Sequence, residues 1–205
     1  KTAEILFVVD ESGSMLTEHQ WLNPAIVEDP ELEGGDPADS VIYDLNDALA
    51  TAGITNVRYG LLGFPASQTD DVRILPFPGE PEPSHGEFVS VDEIVDVSLG
   101  LSTVSSAAED GYLAIEAGLA GYDFRAKAPV NVILITDEDR NADELFGDPG
   151  NTKSEDRTEL LSLLAAANAK LNVVVNATHS WGSAPEESAL GVLGDGYYAV
   201  PDGAG

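Results

Sequence analysis

The chain has 205 residues, 37 of them acidic against 9 basic, for a formal net charge of −28. A surface this negative repels phosphate backbones and anionic lipid, which excludes nucleic acid and acidic membranes as partners. With no cysteine there is neither a disulfide framework nor a thiolate metal site, and no apolar run approaches the roughly 20 residues of a bilayer-spanning helix. The length suits a single α/β domain over residues 1–205, able to bury most of its apolar surface without covalent staples. Lys1 to Glu4 lead straight into a strand-like run, so no signal peptide is expected there, and both ends are expected to be those of a segment of a longer chain. The acidity reads as a surface tuned to high salt, with some carboxylates set aside for divalent cations.

In chain order, Ile5-Leu-Phe-Val-Val9 is a continuous apolar run bounded by Glu4 and Asp10, the pattern of a parallel strand buried on both faces. It ends in Asp10-Glu-Ser-Gly-Ser-Met15. A helix is expected from about Glu18, carrying Trp21 and Leu22, interrupted by an acidic insertion loop over residues 24–38 that contains proline and glycine. Helical spacing resumes at Val41, Leu45 and Leu49, with Gly53 as its stop. Val57–Phe64 is a second strand and residues 72–75 a shorter edge strand. Four prolines from Pro76 to Pro83 make residues 76–90 a loop. A short helix is expected over residues 91–97, and an amphipathic one over Glu109–Leu119 with Leu113, Ile115 and Leu119 as its apolar residues.

Val130–Ile135 is another buried strand, ending at Thr136-Asp137. Residues 154–169 read as a helix with Leu160, Leu161, Leu163 and Leu164 on its apolar side. Leu171–Val175 is a strand, Glu186–Leu193 a short helix and Tyr197–Val200 a last strand. Strands alternating with helices give the fold class: α/β, a doubly wound, Rossmann-like, mostly parallel sheet with helices on both faces.

In such sheets ligands sit beyond the carboxyl ends of the strands, where the strand order reverses. Two of the strongest strands end in aspartate, Asp10 and Asp137. The alternate residues Asp10, Ser12 and Ser14 offer one carboxylate and two hydroxyl oxygens from one loop, with Asp137 arriving from a neighbouring strand. An all-oxygen set suits Ca²⁺ or Mg²⁺ better than zinc or copper.

A hydrophobic strand, then Asp-x-Ser-Gly-Ser, then a later hydrophobic strand ending in Thr-Asp resembles the von Willebrand factor A (VWA) domain family, over about Ile5 to Val200. The resemblance implies a VWA fold and a metal-ion-dependent adhesion site (MIDAS) in which Asp10, Ser12 and Ser14 match the first motif and Asp137 the last. The family's middle ligand is usually a threonine ahead of a helix. Counting back from Ala114-Ile115 gives Glu109 instead, so the role passes to Glu109, with Thr103 as the alternative if the helix starts earlier. Asp110 reads as a cap or a residue behind the ligands.

The function implied is a binding and cell-adhesion module, not an enzyme. Its Ca²⁺ or Mg²⁺ ion keeps one coordination position for an acidic group of a protein or peptide partner. Glu11, Met15, the acidic loop, the Pro-rich loop and Asp139-Arg140 are expected to rim the mouth. The expected setting is a monomeric module in a large secreted or cell-surface protein, an adhesin of a marine or halotolerant bacterium, without membrane insertion. Two other readings are an intracellular VWA adapter docking to an AAA+ ATPase or chelatase-like complex, and a scaffold with an empty site.

Other motifs carry less. Asp137-Glu-Asp-Arg-Asn141 opens like an EF-hand loop, but its sixth position is Ala142 and its twelfth Asp148, where glycine and glutamate belong. There is no nucleophile elbow and no phosphate-binding loop. His19, His85 and His179 are scattered and read as surface residues. Trp21 reads as core, Trp181 as a loop residue. Asn176-Ala-Thr178 is a glycosylation triplet at a strand end and is discounted.

Overall fold

The first strand, β1 (Thr2–Asp10), sits at the centre of the sheet, with residues 3–10 all buried. The computed structural model describes residues 1–13, 15, 41–64, 73–74, 86–95, 111–136 and 153–175. Along them the chain forms α1 (Val41–Thr51), β2 (Asn56–Phe64), β3 (Arg73–Ile74), α2 (Val91–Val95), α3 (Gly111–Gly121), β4 (Val130–Thr136), α4 (Lys153–Ala166) and β5 (Ala169–Val175). The five strands lie in the order β3-β2-β1-β4-β5. All neighbours are parallel except β3, which runs antiparallel to β2 at the edge.

Period-two alternation divides β1 between two cores. Leu6 and Val8 join one with Ile115 of α3 and Leu160 of α4. Ile5, Phe7 and Val9 join the other with Ile42 of α1 and Ile94 of α2. Helices therefore cover both faces of a doubly wound, mostly parallel sheet. Each fully buried aliphatic side chain contributes roughly 2 kcal/mol, which is why an all-apolar run such as Ile5–Val9 takes the central position.

The helices differ from expectation in phase and length. Val41 is 60% exposed, and its neighbour Ile42 is buried instead. Of the four leucines expected on one side of α4, Leu160 and Leu164 are buried while Leu161 is 40% exposed. That helix ends at Ala166 because Asn168 takes a left-handed backbone, φ 52°, a conformation that asparagine tolerates and that closes helices. The chain enters β5 at Ala169. At the end of α1, Gly53 (φ 80°) stops the helix as expected. Of the helix expected over Glu109–Leu119, the described part is Gly111–Gly121, with Tyr112, Ala114 and Ile115 as its buried side chains; Leu113 and Leu119 are only partly buried. The helix from Glu18, the 24–38 insertion, the 186–193 helix and the 197–200 strand lie outside the described residues.

The 76–90 loop is structured at its end. Tyr59 and Val89 exchange backbone hydrogen bonds of 2.8 and 2.9 Å, and Gly86 bridges to Tyr122. The outer edge of β2 is thereby closed by three different segments: Val89 at Tyr59, the Tyr122 hydroxyl at Leu61, and β3 in register at Gly63. Covering an edge in this way removes a template for unwanted strand pairing.

At the amino end of the strands a charged cluster stands opposite to the candidate site. The Glu4 carboxylate is fully buried and accepts from Arg58, from Arg125 Nε at 2.9 Å and from the Arg125 backbone N–H at 3.0 Å. Arg125 also reaches the carbonyls of Ala3 and Asn56. A buried carboxylate is tolerable only with such pairing and hydrogen bonding.

Candidate metal centre

At its carboxyl end β1 keeps its pairing with β2 up to Asp10, in register with Phe64, and one residue beyond, where Glu11 N–H donates to the Phe64 carbonyl at 2.5 Å. There the chain turns. Asp10 Oδ1 accepts from the Ser12 backbone N–H at 2.8 Å, a local side-chain-to-backbone bond of the kind aspartate makes in turns. Met15 N–H then donates to the Ser12 carbonyl at 3.2 Å. Asp10, Glu11 and Ser12 are each fully buried.

The second half of the site comes from β4. The last register pair between β1 and β4 is Val9 with Ile135, so Asp10 and Thr136 are the next step along the seam. Thr136 Oγ1 donates to Asp10 Oδ2 at 2.7 Å. Both carboxylate oxygens thus accept from the protein, which fixes the group's plane and direction. The seam is also the switch point of the sheet, since the chain places β2 on one side of β1 and β4 on the other. That is where doubly wound sheets bind ligands.

Of the expected ligands, Asp10 and Ser12 are therefore together at the carboxyl end of β1, and they supply a carboxylate and a hydroxyl oxygen of the hard type that Ca²⁺ and Mg²⁺ prefer. Ser14, Glu109 and Asp137, with the alternatives Thr103 and Asp110, lie outside the described residues. Among the described residues no three of histidine, cysteine, aspartate and glutamate group closely enough to hold an ion. The donor chemistry in place fits a hard cation.

Two rim residues are corrected. Glu11 and Met15 were expected at the mouth, and both are buried, at 0% and 1% exposure. Glu11 continues the alternation of Val9 and faces inward over β2. Met15 joins the core that holds Phe7 and Ile42. Sequence reasoning also passed over Thr136 as part of the site. Its signal was a hydroxyl-bearing residue where the apolar strand Val130–Ile135 ends.

The fold is similar to that of a mussel thread matrix protein. The structure of proximal thread matrix protein 1 from the mussel byssus with a zinc-occupied MIDAS motif aligns with a TM-score of 0.56 at 12% identity, covering 97% of this chain and 43% of that one. A second structure of the same protein aligns with a TM-score of 0.51 at 11% identity, covering 97% of this chain and 42% of that one. This chain spans less than half the length of that protein, and at such identity the likeness is one of fold: a Rossmann-like sheet of the VWA type. No family model matches the sequence, and no curated protein matches it. Among the described residues no helix is long and apolar enough to cross a membrane.

Proposed function

We propose that this chain is a metal-dependent protein-binding module, in which a Ca²⁺ or Mg²⁺ ion is held by Asp10, Ser12, Ser14, Glu109 and Asp137 and recruits an acidic group of a partner. The observation that carries the reading is the Thr136–Asp10 hydrogen bond of 2.7 Å. It fixes the buried Asp10 carboxylate at the switch point, and its donor, Thr136, is the residue immediately before Asp137 in the chain. An ionised carboxylate has about four acceptor positions, enough to take both protein hydrogen bonds and to ligate a cation. The bound ion would supply positive charge with a coordination position for an outside carboxylate. In this reading the residues around the ion hold its donors in place, and the role proposed for the site is binding. The mussel protein, similar in fold, has a MIDAS motif that is occupied by zinc in its own structure, which supports a metal site on a fold of this type. A net charge of −28 supports a secreted or surface setting in salt-rich surroundings, where mobile ions screen self-repulsion.

The test is calorimetric titration with Ca²⁺, Mg²⁺ and Zn²⁺ at constant ionic strength, with melting curves alongside. Saturable binding at one site, raising the melting temperature by mass action and abolished by Asp137→Ala, is the expected outcome. If Asp137→Ala responds to each ion as the parent does, the site is misassigned.

A further inference from the structure

Glu11 is the second residue of the Asp-Glu-Ser-Gly-Ser motif and is not among the proposed ligands, yet it is as buried as Asp10. Its position follows from the sheet. Residues 5, 7 and 9 of β1 belong to the core on the α1/α2 face, while Leu6 and Val8 belong to the other. Glu11 N–H bonds to the Phe64 carbonyl, which carries the same alternation one step further, so Glu11 falls on the α1/α2 face. On β2, Leu61 belongs to that face and Leu62 and Phe64 to the other, so Gly63 lies beneath Glu11. Gly63 is bare, and the Glu11 carboxyl occupies the space where any side chain at 63 would begin: a Cβ there would collide with Glu11 Cδ and both carboxylate oxygens.

We propose that Glu11 is a positioning residue for the cation loop and that Gly63 is its seat. Residue 11 is fixed by its backbone N–H on Phe64 and is packed by its side chain into the space that Gly63 leaves open. That double hold stops the loop from rotating about its own axis. With residue 11 committed to the α1/α2 face, Asp10 turns its carboxylate to Thr136 and to the Ser12 N–H. The two carboxylates of consecutive residues are thereby kept on opposite sides of the strand, so that one is committed to the site and the other to the scaffold. This role rests on the metal-binding reading above.

The experiment is a double-mutant cycle on Glu11→Ala and Gly63→Ala, read by calorimetric Ca²⁺ affinity at a temperature where circular dichroism shows each variant folded, and by melting in chelator. Gly63→Ala alone should weaken Ca²⁺ binding about tenfold or more, the scale on which supports behind metal ligands act, or prevent folding. In the Glu11→Ala background it should cost nothing further, since the collision is gone. If Gly63→Ala does not fold, Glu11→Ala is read alone: weakened Ca²⁺ binding in that folded variant supports the positioning role, and parent-like affinity overturns it. Parent-like affinity in Gly63→Ala, or two losses that simply add, overturns the proposal. If the parent binds no ion saturably, the cation reading fails and the positioning role with it; if the parent binds and the cycle is additive, only the positioning role fails.

Discussion

Thr136 and Asp10 are separated by 126 positions in the chain and are joined by a 2.7 Å hydrogen bond across the β1–β4 seam. The bond is buried, and its acceptor is a carboxylate with no exposure to water. A hydrogen bond to a charged group contributes more than a neutral one, and its loss leaves the buried oxygen short of a donor. Thr136→Val keeps the branched shape that a strand favours and removes only the hydroxyl. We expect it to lower unfolding stability by about 2 kcal/mol in urea titrations with chelator present. A loss under roughly 0.5 kcal/mol, the low end for a net hydrogen bond, would mean that the bond contributes nothing in solution.

Tyr122 closes the outer edge of β2. Its hydroxyl donates to the Leu61 carbonyl at 2.7 Å and accepts from the Leu61 N–H at 3.0 Å, standing in for a neighbouring strand. Burial pushes its pKa above the ordinary value of 10.0, only partly offset by the Leu61 bond. The protonated form is therefore the folded one, and its contribution is complete below pH 10 and declines as pH rises through the raised pKa. Tyr122→Phe should cost about 1–2 kcal/mol. It should also speed hydrogen exchange at the Leu61 amide more than at Leu6 in the adjacent strand, which a purely global loss of stability would not do.

The strands were legible because their signal is physical and local. Ile5–Val9, Val57–Phe64 and Val130–Ile135 are runs that only a sheet with both faces covered can bury, and Asp10 marks where burial stops being apolar. Phase was less legible. Val41 and Ile42 are both apolar and both compatible with Leu45 and Leu49, and four leucines between 160 and 164 leave the buried pair undecided. Only packing selects Ile42 and Leu160/Leu164. Acidic residues misled most. Glu4 reads as the polar boundary of a strand, whereas its partners Arg58 and Arg125 lie 54 and 121 positions away. Glu11 reads as the rim of a site, and the room for it comes from the missing side chain of Gly63 on another strand. Two of the five expected ligands, Asp10 and Ser12, are brought together by one strand end; Ser14, Glu109 and Asp137 fall outside the described residues.

The Glu4 cluster predicts an asymmetry. Glu4 is fully buried, whereas the side chains of Arg58 and Arg125 are 30% and 26% exposed. Removing the Arg125 side chain leaves a buried carboxylate with Arg58 as its one charged partner, beside the backbone N–H of residue 125; removing the charge of Glu4 leaves two arginines that water already reaches. Arg125→Met should therefore destabilise by roughly 3 kcal/mol, the scale for breaking a buried pair on one side, and Glu4→Gln by distinctly less. Arg125→Lys should not rescue, because an ammonium lacks the planar fork that serves Glu4, Ala3 and Asn56 together. Equal losses in Arg125→Met and Glu4→Gln would refute the asymmetry.

The start of α2 carries a pH-dependent contact. Ser90 and Glu93 form a reciprocal cap: Glu93 Oε2 accepts from the Ser90 hydroxyl at 2.7 Å and from the Ser90 N–H at 2.9 Å, while the Glu93 N–H reaches Ser90 Oγ at 3.4 Å. This satisfies amide donors that a helix start otherwise leaves without intrahelical partners. The Ser90 side-chain bond, followed by its backbone bond, lowers the Glu93 pKa from its ordinary 4.5. A lowered folded-state pKa means that the contribution is present above pH 4.5 and is lost as pH falls through the lowered value. An NMR titration of the Glu93 carboxyl should find its midpoint below 4.5, and Ser90→Ala should move it back up. The helix is short and Glu93 is exposed, so raising the salt concentration should leave the hydrogen-bonded shift in place while reducing the background from the other carboxylates. A midpoint at or above 4.5 in the parent chain would show that the cap does not hold in solution.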